Sequence, residues 1–432
     1  MADWAAAGPA VAVVGAGAVG VCVALALRRR GATVTLIDRD GPGAGCSRGN
    51  SGAISPNSVV PLATPGVLAS LATMAFDHER PLRVPLRYLP RAAPWLARFV
   101  CAAAPHRRAE SIRCLAALHD GAVSKHRALA LAAGVPELFV QRGHLHLYPD
   151  DRAYRQDAPG WAIRARHGHP HERLGRDQIL ALEPNVGPRY QVGAFLADQA
   201  TIRNPLRYVQ AIARLFAAHG GQSWQADVDA LRPLAGGRWQ VTAAGAAHTF
   251  DHAVVAAGAW SRRLLDPLGI RLRLESQRGY HVQFPHHAGL VSRTIVLTDR
   301  KVFVTPMEEG LRVGGTVEIA GLDAAPDWRR AALLERVARQ AFSGLDEAAS
   351  SRWAGHRPCL PDSVPVVGPA PGHRGLWLAV GHGHLGLTDS PATGERLAQA
   401  IAGGLPIEPR PATDQAGEEP ARDVGRLRCD AH

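Results

Sequence analysis

The sequence predicts an α/β protein in two interleaved parts, a Rossmann-like dinucleotide-binding domain and an α+β domain built on an antiparallel sheet. Three observations carry that expectation. Gly15-x-Gly17-x-x-Gly20 stands between a short apolar strand and an apolar helix. An amphipathic helix at 204–219, a meander of short strands and a buried strand at 253–260 supply the rest of a nucleotide-binding half. Alternating runs between 271 and 319 read as a separate antiparallel sheet. At 432 residues the chain exceeds one ordinary core, so two domains are expected.

The first element is the strand opening at Val11, which meets the glycine loop. Gly15 allows the tight turn, Gly17 lets backbone approach a pyrophosphate, and Gly20 lets helix and strand pack closely. The helix start offers unpaired N–H groups and partial positive charge to phosphates. The next strand ends in Asp38, placed to accept hydrogen bonds from a ribose. From Ala5 to Leu27 no residue is charged, a length that would also suit a membrane span. The glycines, placed where a phosphate loop needs them, argue against that reading, and the basic run after rather than before the apolar stretch argues against a signal peptide. The chain is expected to be cytoplasmic, with peripheral contact to the inner membrane face left open.

Net charge is +11, but Lys125 and Lys301 are the two lysines, and the arginines are scattered. That distribution lacks a compact basic patch for nucleic acid. Six cysteines show no CxxC spacing and read as reduced thiols, not a disulfide or zinc framework. His167, His169 and His171 sit in a polar loop, and no metal site is expected.

The loop 41–52 is dense in glycine, which after a nucleotide-binding strand lets backbone lie against a flat ligand. Residues 66–134 carry helical spacing broken by prolines, and 143–148 alternate like a half-buried strand. Short strands follow the 204–219 helix at 227–233, 238–243 and 247–250, with a turn at Gly236-Gly237. Strands are expected at 271–284, 294–298, 302–306 and 311–318, and a helix at 328–343. The polar tail from 409 to 432 is expected to be disordered.

The last third carries a second signal: Gly355-His-Arg357-Pro358 leading to Pro361-Asp362, then Gly381-His-Gly-His-Leu-Gly386-Leu-Thr388 and Pro391-Ala-Thr-Gly394 opening a helix. With Gln277-Arg-Gly279-Tyr280 and Arg312-Val-Gly-Gly315-Thr-x-Glu318, the chain resembles the FAD-dependent D-amino-acid oxidase/dehydrogenase family, and most resembles its bacterial D-amino-acid dehydrogenase branch. The resemblance runs in colinear order over about 10–408. It implies discontinuous domains of the D-amino-acid oxidase type. Residues 10–60, 200–270 and 352–408 would form the FAD domain, and 61–199 with 271–351 the substrate domain.

The resemblance also implies FAD as cofactor. Gly15, Gly17, Ala18, Val19 and Gly20 would take its pyrophosphate, and Asp38 and Arg39 its adenosine end. Ser47, Asn50, Ser51 and Gly52 would lie along the isoalloxazine edge, Val228 near the adenine, and Gly258 near the pyrophosphate or ribityl chain. Gly381, Gly383, His384, Leu385, Gly386 and Thr388 would feed N–H groups and a helix start to flavin N1 and C2=O, where reduction adds negative charge.

Arg357 would clamp the substrate carboxylate, a task suited to a planar bidentate donor. Tyr280 would add a hydroxyl to the carboxylate or amine, with a packed strand tyrosine as the alternative. The implied reaction is oxidative deamination of a D-amino acid, with hydride passing from Cα to flavin N5 and the imino acid hydrolysing to a 2-oxo acid and ammonia. Electrons would then pass to a quinone or other carrier. A cis-4-hydroxy-D-proline (cyclic imino acid) dehydrogenase, a glycine- or sarcosine-type oxidase using oxygen, and a flavin-binding subunit of a redox complex stand as alternatives.

Overall fold

A computed structural model describes residues 8–64, 82–345, 349 and 351–403. The expected tail at 409–432 and the start of the 66–134 helical stretch lie outside these residues. Within them, that stretch forms helices Leu89–Ala102, Pro105–His119 and Ala122–Ala132, interrupted at Asp120-Gly121.

The uncharged run at the start divides into strand Ala10–Val14, the glycine turn and helix Ala18–Arg29. Among the described residues no helix is long and apolar enough to cross a membrane. The Ala10–Val14 strand lies inside a six-stranded sheet. Its order is Gln222–Gln225, Thr33–Asp38, Ala10–Val14, His252–Val255, Leu376–Val380 and Val366–Pro369. All its pairs are parallel except the last. Near-continuous apolar residues in its inner strands Ala10–Val14, His252–Val255 and Leu376–Val380 fit a sheet covered on both faces. Helices Ala18–Arg29, Pro205–Ala218 and Gly386–Ile401 cover one face. The other is covered by the antiparallel meander Val228–Pro233, Trp239–Ala243 and Ala246–Phe250. Helices Ala18–Arg29 and Gly386–Ile401 approach closely because Gly394 bears no side chain; a Cβ there would stand 2.6 Å from the Cys22 carbonyl oxygen.

The second sheet has nine strands. Ser351–Cys359 forms one edge, followed by Glu275–Phe284, Gly310–Ile319, Val302–Met307, Thr294–Leu297, His144–Tyr148, Val192–Leu196 and Glu172–Leu174. The short strand Leu82–Arg83 pairs with Gly310–Ile319. Most pairs are antiparallel, but Thr294–Leu297 runs parallel to His144–Tyr148. The boundary expected at residue 352 falls inside the Ser351–Cys359 strand, which pairs with Glu275–Phe284 over nine positions. Arg357 therefore stands on the second sheet. Helix Arg329–Ala341 packs on the far face of that sheet, over Val282, Val302 and Val313. The near face looks toward the glycine-dense loop.

Candidate active site

The dinucleotide end is built around Gly15, whose φ of 106° lies in the region that favours glycine. Its N–H donates to the Ile37 carbonyl at 2.8 Å, tying the loop to the Thr33–Asp38 strand. Gly20 sits so close beneath Gly15 that a Cβ would overlap the Gly15 carbonyl oxygen. Gly17 opens the other way: a Cβ there would meet nothing nearer than Ser47 Oγ at 3.5 Å. Gly17, Ala18 and Val19 form part of the wall of a cavity of about 420 Å³. The Ala18 N–H donates to Ser47 Oγ at 3.0 Å, joining the helix start to the glycine-dense loop.

Asp38 lines the same cavity, but its carboxylate is already engaged. Oδ2 accepts from the Ala16 N–H at 2.7 Å, and Oδ1 from the N–H groups of Asp40 and Gly41. It braces the turn as well as facing the cavity. Arg39 bonds to Asp40, and its guanidinium stands 5.4 Å from the Trp260 ring. Val228 and Gly258 complete this end.

Farther along, Cys46, Ser47, Asn50, His356, Pro358, Gly381, His382, Gly383 and Gly386 form the wall. The Gly383 N–H donates to the Pro358 carbonyl at 2.8 Å, so the loop before helix Gly386–Ile401 is stitched to the Arg357 strand. His382 is buried, with Nε2 3.0 Å from Thr393 Oγ1, and burial pushes its pKa down to about 3. The His384 side chain is exposed on this loop, and the surrounding protein and then the neighbouring Arg357 charge lower its pKa. The walls fit an extended dinucleotide: two helix starts, a loop made accessible by Gly17, and an acid at the Thr33–Asp38 strand end.

Several expected residues stand behind the wall. Leu385 is buried in packing, and Thr388 Oγ1 accepts from the Ser55 N–H while donating to the Ala53 carbonyl. Ser51 faces Gly314 of the second sheet, and the Gly52 carbonyl accepts from the Ile202 N–H.

Arg357 has its guanidinium beside Gly279, where any side chain at 279 would overlap it. Nη1 donates to the Thr316 carbonyl at 3.2 Å. Thr316 is held at a φ of 55°, uncommon for a β-branched residue, within an irregular stretch of pairing. Among the described residues Arg357 forms no ion pair. Its sequence neighbours His356 and Pro358 line the cavity, and its charge is felt at Cys46 on the cavity wall.

Tyr280 occupies the packed strand position, the alternative to a substrate-facing hydroxyl. Side chains alternate along the Glu275–Phe284 strand, so Gly279 and His281 face the loop while Tyr280 faces helix Arg329–Ala341. Its hydroxyl donates to Glu318 at 2.5 Å and accepts from the Asp327 N–H at 2.9 Å. Glu318 also pairs with buried Arg278 at 3.2 Å. Burial and this carboxylate push the Tyr280 phenol up to about 12.

Residues to which the sequence assigned no role also meet here. His356 accepts or donates at 2.7 Å to Ser276 Oγ and stands edge-on to Trp260. Trp353 stacks on His281, with ring centroids 5.1 Å apart and planes at 16°. Trp353, Gly355 and Arg357 share one face of their strand, so counting by twos back from Arg357 reaches Trp353.

Residues 10–400 match the family described as FAD dependent oxidoreductase, DAO. The chain is 38% identical over 408 residues to a D-amino-acid oxidase of Bradyrhizobium diazoefficiens, covering 92% of this chain and 96% of that one. It is 34% identical to D-amino acid dehydrogenase 2 of Ralstonia nicotianae, covering 92% and 97%. Its fold is similar to that of glycine oxidase from Geobacillus kaustophilus, with a TM-score of 0.69, 19% identity, and 93% and 96% of the two chains covered. With the family match running through both the dinucleotide cavity and the Arg357 strand, this chain belongs to the DAO family of FAD-dependent oxidoreductases.

Proposed function

We propose that the protein oxidises D-amino acids to 2-oxo acids and ammonia by way of the imino acid. The carrying observation is Arg357: a guanidinium without an ion pair among the described residues, held beside the cavity by Gly279 and the Thr316 carbonyl. An amino-acid carboxylate supplies the missing counter-charge and matches the planar donor. The names of the Bradyrhizobium and Ralstonia relatives support the D-amino-acid class.

The chemistry that FAD would supply when bound is that of a hydride acceptor for the substrate Cα. Gly17, Ala18 and Val19 would hold its pyrophosphate, and Asp38 and Arg39 its adenosine end. Asn50, Ser47 and the Gly381–Gly386 segment would hold the flavin. Arg357 would fix the substrate by its carboxylate, which makes orientation the protein's main contribution.

Anaerobic flavin bleaching against a panel of D- and L-amino acids tests the reading. Rapid bleaching by D-amino acids is expected; bleaching by L-amino acids alone overturns it. For the electron acceptor we propose a quinone or other carrier, as the Ralstonia relative's dehydrogenase name suggests. The oxidase name of the 38% identical relative favours oxygen as a second reading. Hydrogen peroxide formed in step with substrate would select the second.

A further inference from the structure

The Arg312-Val-Gly-Gly strand has a role that the substrate clamp does not account for. Three consecutive carbonyls of the glycine-dense loop are gripped by the near face of the second sheet. Arg312 Nη1 donates to the Arg48 carbonyl at 3.1 Å and to the Asn50 carbonyl at 2.7 Å. His281 Nδ1 lies 3.1 Å from the carbonyl oxygen between them, that of Gly49. Burial, with Arg312, Arg48 and Arg357 nearby, pushes the His281 pKa down to about 3, so the ring is neutral and Nδ1 carries the donated proton. The Trp353 ring fills the side-chain space of both Gly49 and Gly355. A side chain at Gly314 would stand 2.7 Å from Ser51 Oγ.

Arg312 is partly buried, and every hydrogen-bond acceptor it uses is neutral: two carbonyls and, at 3.1 Å from Nε, the Gln283 side-chain oxygen. Among the described residues it forms no ion pair. A charge held this way is costly unless something nearby gains from it. Within the gripped loop, the N–H groups of Arg48 and Asn50 go to Gly45 and Ser47 carbonyls, and that of Gly52 goes to Asn50 Oδ1. The Gly49 and Ser51 N–H groups have no hydrogen bond among the described residues. Asn50 and Ser47 line the cavity. Four residues on, the same strand supplies the Thr316 carbonyl that holds Arg357.

We infer that Arg312 is a positioning residue for the flavin. It fixes the Arg48–Asn50 backbone against the sheet and holds a positive charge beside the cofactor that favours its reduced, more negative state. One strand thereby sets the cofactor loop and the carboxylate clamp in register. This rests on the reading that the flavin lies along residues 47–52.

The test uses the whole protein stripped of FAD and reloaded. FAD affinity is measured by fluorescence titration and the midpoint potential by dye equilibration, for Arg312→Met and Arg312→Lys. In Arg312→Met, FAD affinity falls about tenfold, and the preference for reduced over oxidised flavin falls at least threefold. Arg312→Lys keeps the charge but lacks the Nε donor to Gln283 that orients the guanidinium toward the two carbonyls. It retains the potential and loses at least threefold in affinity, so it decides the matter even where the methionine variant does not fold. Affinity and potential both unchanged overturn the inference. So does a lower melting temperature in the methionine variant with an unchanged potential, which is the signature of a merely structural arginine. Asn50→Leu serves as control: unchanged FAD affinity there overturns the flavin placement itself, and the inference with it.

Discussion

The guanidinium of Arg357 occupies the space that Gly279 leaves empty on the neighbouring strand. Arg357 stands two residues along from the partner of Gly279, since Gly279 pairs with Gly355 and Gln277 with Arg357. The arginine is thus shaped by an absence: a side chain at 279 would compete for its place. Thr316, in an uncommon backbone conformation, turns its carbonyl to hold Nη1. A donor fixed before substrate arrives loses less freedom when it binds.

Gly279→Ala should displace Arg357 without unfolding the protein. The overlapping atoms are the flexible end of a side chain, which can move aside. KM for D-amino acids is expected to rise about tenfold or more, while FAD content and melting temperature stay near those of the unaltered protein. Steady-state kinetics beside thermal melting separate the two effects.

Arg357→Met removes the counter-charge for the carboxylate. Two charge-assisted hydrogen bonds together contribute about 3 kcal/mol, so kcat/KM should fall by roughly a hundredfold. FAD affinity should be unchanged, because Arg357 belongs to the substrate side of the site. An uncharged amine should lose far less than an amino acid, and comparing the two substrates checks that the loss lies at the carboxylate.

Gly20→Ala acts at the other end of the cavity. The new Cβ would overlap the Gly15 carbonyl oxygen, a main-chain atom that cannot swing aside. The glycine loop would have to part from the helix. The expected outcome is loss of FAD binding with a stability cost of about 2–4 kcal/mol, read from flavin absorbance and urea unfolding.

Legibility in the sequence followed how local each feature is. The glycine loop and Asp38 lie within one strand-helix-strand unit, so spacing alone shows their purpose. Arg357 was legible because a short motif surrounds it. The partners of that arginine were not, because Gly279 and Thr316 reach it through strand pairing from 78 and 41 residues away in the chain. For Tyr280 the sequence left both a substrate-facing and a packed position open: a motif shows which residues are adjacent, but the face each takes depends on the pairing register, which is irregular between Arg278 and Tyr280. Asp38 was legible as the acid that ends its strand, yet its hold on three N–H groups required the loop's shape. The grip of Arg312, His281 and Trp353 on the loop spans separated segments, and no local pattern announces it.

Acid should weaken the fold over a defined window. His126 is fully buried between the Tyr208 hydroxyl and the Leu387 carbonyl, and burial lowers its pKa from near 6.5 to about 4. The folded form therefore resists a proton that the unfolded chain takes up readily. Its stabilising contribution is complete above about pH 6.5 and declines as pH falls toward about 4, at up to roughly 1.4 kcal/mol per pH unit. His382, lowered to about 3, extends the decline in the same direction. Urea midpoints measured from pH 8 to pH 4 should fall steadily below pH 6.5. His126→Gln should start less stable at pH 8 and show a shallower fall.

Tyr280→Phe distinguishes the packed tyrosine from a substrate-binding one. The hydroxyl donates to Glu318 and accepts from the Asp327 N–H, at the heart of a buried group that includes Arg278. Removing it takes one donor from a buried carboxylate and leaves the Asp327 N–H without its acceptor. A loss of about 1–3 kcal/mol in stability is expected. KM for D-amino acids should change less than twofold, because the ring points to helix Arg329–Ala341 and away from Arg357. A tenfold rise in KM at unchanged stability would restore Tyr280 to the substrate site, and it would require the Glu275–Phe284 strand to turn its other face to the cavity.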